Sequence, residues 1–131
     1  MILSEPVRNL LEQPLIARIS VIDHEGYPHT IPIWFVRDSD EIVFISSRGG
    51  RKIKYIQANP KGAFVIGGDP YGSEGYLLKG EFSIEEDPGH RWLTDITYRY
   101  EPRDIADKYL AEWVNDDIVA LRFTPRQVVK V

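Results

Sequence analysis

The sequence predicts a mainly β fold with peripheral helices, in which six or seven short, mostly antiparallel strands wrap into a closed or nearly closed barrel. Three observations lead there. Short apolar runs recur between turn-forming Gly, Pro, Asn and Asp residues. The first three runs are joined by turns too short for the crossovers that parallel strands need. A small chain with this many strands removes its exposed edges most simply by closing the sheet.

Ser4 to Gln13 reads as a short helix, with Ser4 as N-cap, Val7, Leu10 and Leu11 on one face, and Pro14 ending it. Leu15 to Ile22 alternates with both faces largely apolar, as in a strand covered on both sides. Residues 23–26 form a turn in which Gly26 suits positive φ. Pro28 to Val36 is the returning strand; after a turn at 37–40, Glu41 to Ile45 completes a meander. Gly49-Gly50 breaks the pattern. Arg51 to Ala58 carries Ile53, Ile56 and Ala58 near helical spacing, and Asn59-Pro60 stops that helix. Gly62 to Gly67 is a short buried strand, followed by a glycine-rich loop over 67–75 that Tyr71 and Tyr76 border as candidate substrate covers. Tyr76 to Glu85 is strand-like, with Gly80 marking a bulge or bend. Pro88 to Tyr100 and Pro102 to Val114 are helices, whose Trp92 and Trp113 suit core or dimer packing. Residues 117–123 and 127–131 are the final strands.

Composition bounds the function. The 131 residues are one domain's length, so one domain over 1–131 is expected, and 43% hydrophobic with 11% aromatic content suits a packed core. The absence of Cys rules out disulfides, thiolate metal sites, iron–sulfur clusters and Cys nucleophiles. No apolar run approaches a membrane span, and the residues after Met1 do not read as a signal peptide, so a cytoplasmic protein with no membrane partner is expected. A net charge of −4 disfavours nucleic acid, which needs a basic face. The charge is uneven: residues 1–68 hold 8 Lys/Arg against 7 Asp/Glu, and residues 69–131 hold 8 against 13. No acid falls between Glu41 and Asp69, a stretch that contains Arg48, Arg51, Lys52, Lys54 and Lys61. Such a cationic island on an acidic protein points to a small anionic ligand.

The sharpest motif is Ser46-Ser47-Arg48-Gly49-Gly50-Arg51-Lys52, leaving a strand and entering a helix. Free N–H groups and the dipole at a helix start attract an anion, hydroxyls donate to phosphate oxygens, and Arg binds two oxygens at once. Arg and Lys in a first helical turn oppose the dipole, so stability alone would not select them there. The alternative is a solvated basic helix start. The spacing matches neither a P-loop nor Gly-x-Gly-x-x-Gly. His24, His29 and His90 form no metal motif, so no metal site is expected. Nothing points to a hydrolase triad.

Ile16 to Val21, Gly26 to Phe35, Ile42 to Ser47, Gly50-Arg51-Lys52, Asn59-Pro60, Gly80-Glu81-Phe82 and Leu121 to Pro125 together resemble the pyridoxamine 5′-phosphate oxidase-like, FMN-binding split-barrel superfamily. The resemblance is closest to its small single-domain branch, which includes deazaflavin-dependent reductases. It implies a six-stranded antiparallel split β-barrel that forms a homodimer with the cofactor at the subunit interface. By position, Arg51 and Lys52 match the family's phosphate-binding pair, and Ser46 and Ser47 the strand end that also contacts phosphate. Ile31, Pro32, Ile33 and Trp34 match the strand lying along the isoalloxazine ring; Trp34 is equally placed to be barrel core. The end of the chain lacks the His of members that act on vitamin B6, so that reaction is not expected. A flavin-contacting Gln of the family corresponds to about Gly75, which leaves room for a different cofactor.

The resemblance implies a flavin-dependent oxidoreductase that binds FMN and works by hydride transfer on a small-molecule substrate, with no side chain required as nucleophile. A deazaflavin (F420)-dependent reductase is the alternative. A non-catalytic flavin- or heme-binding protein is a third reading, although the C-terminal His of heme-binding relatives is missing.

Overall fold

The computed structural model describes residues 2–72 and 74–131. Its elements are α1 (Glu5–Leu11), β1 (Ala17–Ile22), β2 (Pro28–Ile33), β3 (Val36–Asp38), β4 (Glu41–Ser47), α2 (Arg51–Ala58), β5 (Lys61–Ile66), β6 (Tyr76–Glu86), α3 (Arg91–Tyr100), α4 (Arg103–Trp113) and β7 (Ile118–Lys130). A 3-10 turn over Pro88–His90 leads into α3. All neighbouring strands are antiparallel, in the order β2-β1-β5-β6-β7-β4-β3.

Among the described residues the sheet therefore has seven strands and is not closed, which corrects the expectation of a six-stranded split barrel, closed or nearly closed. The apolar run from Pro28 to Val36 breaks at Trp34-Phe35 into β2 and β3, which become the two ends of the sheet. Phe35 is fully buried, edge-on to Phe64 at 5.3 Å. Its N–H donates to the hydroxyl of Tyr100 at 3.3 Å, not to another strand. Burial of this one ring, with its amide satisfied by a helix, turns the chain out of the ladder and leaves the sheet split.

The final strand is also longer than expected. β7 runs unbroken through Pro125, which lies opposite Gly80 where the β6–β7 register shifts. A Cβ on Gly80 would stand 2.1 Å from the carbonyl oxygen of Thr124, so this bulge needs glycine. The first turn follows its sequence: Asp23 Oδ1 accepts from the N–H groups of Glu25 and Tyr27, both at 2.9 Å, and Gly26 takes φ +88°.

The inward faces of the strands meet Leu3, Val7 and Leu11 from the N-terminal segment and Ile53 and Ile56 from α2. Phe35, Phe44, Phe64, Phe82 and Phe123 fill the middle with tilted and edge-on contacts. Ser4 stands at the N-cap of α1 without a side-chain bond. The other end of α1 is satisfied from a distance. Arg99 of α3 donates to the carbonyls of Leu11 and Gln13 at 2.7 Å and of Glu12 at 3.2 Å. Among the described residues, no helix is long and apolar enough to cross a membrane.

Candidate functional site

α3 is positioned by a buried carboxylate. Asp87 accepts from the N–H groups of Trp92 at 2.9 Å and Leu93 at 3.0 Å, which satisfies donors left free at the helix start. This fixes Leu93, Ile96 and Thr97, spaced three and four apart, on the face turned to the sheet. Across from them stand Pro32, Ile33 and Trp34. Between these walls lies an apolar cleft of about 360 Å³. Trp113, at the end of α4, also lines it and stacks on Tyr109 at 5.1 Å.

A second hollow of about 330 Å³ continues the first, with Ile45, Leu93 and Trp113 common to both. Its other walls include Ser46, Ser47, Lys52 and Asp116. The hollows form one groove, apolar at one end and polar at the other. Ser46 is buried, and its Oγ donates to the carbonyl of Ser47 at 3.0 Å; Ser47 is exposed. Gly50 N–H donates to the same carbonyl at 3.0 Å, and a Cβ on Gly50 would press that oxygen at 3.2 Å and Ser46 Oγ at 3.3 Å. Gly50 thus closes the strand-to-helix turn and delivers the start of α2 to the groove.

Lys52 is half-buried and has no hydrogen-bond or ion-pair partner among the described residues. Burial holds its ammonium below the ordinary lysine range, because the charged form loses solvation. Arg48 is committed elsewhere. It donates to both carboxylate oxygens of Asp117 at 3.0 Å and to Glu86 at 2.6 Å. Those bonds hold the guanidinium protonated and Glu86 below the usual carboxylate range.

The sequence-predicted residues divide accordingly. Pro32, Ile33 and Trp34 line the apolar end, and Ser46, Ser47 and Lys52 the polar end. Ile31 packs against the core instead, and Arg51 is exposed outside the groove lining. Trp34 is half-buried and stacked on Tyr100, a wall residue more than a core one. Sequence reasoning missed Leu93, Thr97, Trp113 and Asp116. Leu93, Ile96 and Thr97 share one face at helical spacing, a signal in the sequence that could have found them. Of the candidate cover residues, Tyr71 is fully exposed at φ +62°, and Tyr76 donates to Glu74 at 3.0 Å. His24 and His29 sit edge-on to Tyr55. Among the described residues, no group of three or more potential metal ligands gathers. A larger concavity of about 560 Å³ on the outer face of β1, β5, β6 and β7 holds none of the predicted site residues.

A split antiparallel sheet with a groove running from its edge strand to a strand–helix turn defines the class of the fold. The chain belongs to the pyridoxamine 5′-phosphate oxidase family, whose profile matches residues 3–131. Among solved structures it is similar to an F420 reductase, at 24% identity and TM-score 0.76, with 97% of this chain and 98% of that one covered. General stress protein 26 from Bacillus anthracis str. Sterne superposes at 18% identity and TM-score 0.73, with 100% and 95% covered. An FAD-binding protein from Mesorhizobium loti gives 20% identity and TM-score 0.66, with 96% and 92% covered. These likenesses show a shared fold. No curated protein matches the chain.

Proposed function

We propose that the protein is a flavin-dependent oxidoreductase that binds FMN in this groove. The observation that carries the reading is the continuity of the groove: an apolar slot meets, through Ile45, Leu93 and Trp113, a polar end with an unpartnered, half-buried ammonium. That donor set fits a planar ring at one end and a phosphate at the other. Pro32, Ile33 and Trp34 would lie along the ring; Ser46, Ser47 and Lys52, with the first N–H groups of α2, would hold the phosphate. Arg51 would reach it only from outside. The ring would supply hydride transfer to or from a small-molecule substrate. The protein's own work is to bind, orient and keep water from the apolar end.

A deazaflavin-dependent reductase is the second reading, favoured by the similarity to an F420 reductase and by Gly75, which offers no side chain where a flavin-contacting Gln is expected. Absorption spectra of the protein from its native host, with mass spectrometry of the released cofactor, separate the two. Reduction followed by electron transfer to an acceptor at catalytic rates separates an enzyme from a flavin- or heme-binding carrier. We further read the protein as a homodimer with the cofactor at the subunit interface. Exposed Ile16 borders the groove, and Ile105 and Val114 of the α4 region are exposed as well. A 15.1 kDa monomer in light scattering, with cofactor bound, would overturn this.

A further inference from the structure

We propose that the concavity on the outer face of β1, β5, β6 and β7 is a second binding site, which takes an amphipathic organic anion with its carboxylate between Lys61 and Lys79. At about 560 Å³ it is larger than either hollow of the groove, and it shares no lining residue with them. It does not rest on the ring-cofactor reading.

The charge of this hollow follows from the bulge at Gly80. Lys79 faces Gln127 and Gly80 faces Pro125, so Arg126 is the extra residue of β7. Arg126 donates to Glu81 at 3.0 and 3.2 Å. Glu81 stands directly across from Lys61, yet its ion pair is with Arg126. Lys61 and Lys79, both exposed, are left with no ion-pair partner among the described residues. Ala63 lies opposite Lys79, so the two lysines are diagonal neighbours on one face, about 7–8 Å apart. Two ammonium groups on flexible stems at that spacing can both reach one carboxylate.

Beside the lysines the floor is apolar. Ala63 is small enough to leave it concave, and the cross-strand partners Ile22 and Pro28 form its far side. An acyl chain or ring would cover this floor while the lysines hold the charged end, so one ligand uses both features. The lining carries three cations against one acid. A second copy of the chain laid two-fold across the hollow would set that positive surplus against itself, whereas a small anion removes it.

The test is a titration of the purified protein with octanoate, octanol and octylammonium at neutral pH and low salt. Calorimetry reads affinity, and the backbone amide shifts of β5 and β6 read location. Octanoate is expected to bind about 3- to 10-fold more tightly than octanol, with octylammonium weakest. Lys61→Gln and Lys79→Gln should each weaken octanoate roughly 3-fold and leave octanol unchanged. Ala63→Leu, which fills the floor without changing charge, should weaken both. No octanoate binding, equal affinity for octanol or octylammonium, octanoate affinity that survives both lysine substitutions, or amide shifts confined to the groove would each overturn the inference. So would a monomer–dimer equilibrium that moves in the lysine variants by light scattering, which assigns the face to a second copy. None of these results bears on the ring-cofactor reading.

Discussion

Trp34 stacks on Tyr100 with ring centroids 4.9 Å apart and planes 5° from parallel. The Tyr100 hydroxyl donates to the carbonyl of Leu15 at 2.7 Å and accepts from Phe35 N–H at 3.3 Å. One side chain thus orients a groove wall and anchors the corner where the sheet splits. Tyr100→Phe keeps the stack but leaves Phe35 N–H without its partner. The expected loss is about 1 kcal/mol, or roughly 3–5 °C in Tm by calorimetry, with ligand affinity nearly unchanged. Tyr100→Ala frees Trp34 as well, so affinity should fall with stability.

Lys52 and Arg51 are adjacent in sequence but differently placed, and their variants should separate. Lys52→Ala removes a charge-assisted contact of about 1.5–3 kcal/mol, so cofactor affinity should drop roughly 10- to 100-fold. Arg51→Ala, outside the groove lining, should cost several-fold less. Lys54→Ala and Lys61→Ala are controls expected to change little. Equal losses at all four positions would return the island to a general surface charge.

The lowered proton affinity of Lys52 has a definite sign. Burial penalises the charged form, so the unfolded chain keeps this proton to higher pH than the folded one. The penalty is fully present below the depressed folded value. Stability from this group rises from there towards the ordinary 10.5. Lys52→Met should therefore stabilise the cofactor-free protein most near neutral pH, and the gain should shrink as pH approaches that upper bound. Paired urea titrations of the two proteins, compared pH by pH, read this difference. Phosphate affinity should fall over the same window.

Asp87 is buried and holds the start of α3 through two backbone amides. Asp87→Ala should cost about 1–2 kcal/mol. Because α3 carries Leu93, Ile96 and Thr97, it should also loosen the apolar end and weaken ring binding. Asp87→Asn should recover part of both, since it keeps one acceptor.

Gly62→Ala and Gly80→Ala test the sheet. A Cβ on Gly62 would meet the Phe82 ring at 2.3 Å and the Ser20 carbonyl oxygen at 2.4 Å, and one on Gly80 the Thr124 carbonyl oxygen at 2.1 Å. Each substitution should destabilise by about 1–3 kcal/mol in chemical denaturation.

What could be read in advance depended on how local its cause was. The bounds of α2 match the sequence reading because Gly49-Gly50 and Asn59-Pro60 act within a few residues. The Gly80 irregularity was legible for the same reason. The break at Trp34-Phe35 was not, since it depends on Tyr100, 65 residues away, taking the Phe35 amide. Continuity through Pro125 was hidden because its tolerance lies in Gly80 on the neighbouring strand. In the groove, the strand and turn residues could be placed from sequence. Trp113 and Asp116 could not, because only the packing of the helical hairpin brings them to the same wall.

The two ends of the sheet are also its points of exposure to other molecules. β2 carries Pro28 and Pro32, which remove two backbone donors from that end, and β3 is three residues long. An incoming strand finds an interrupted row of donors on one side and almost no template on the other. The split that opens the sheet therefore leaves little template for edge-to-edge stacking with other copies.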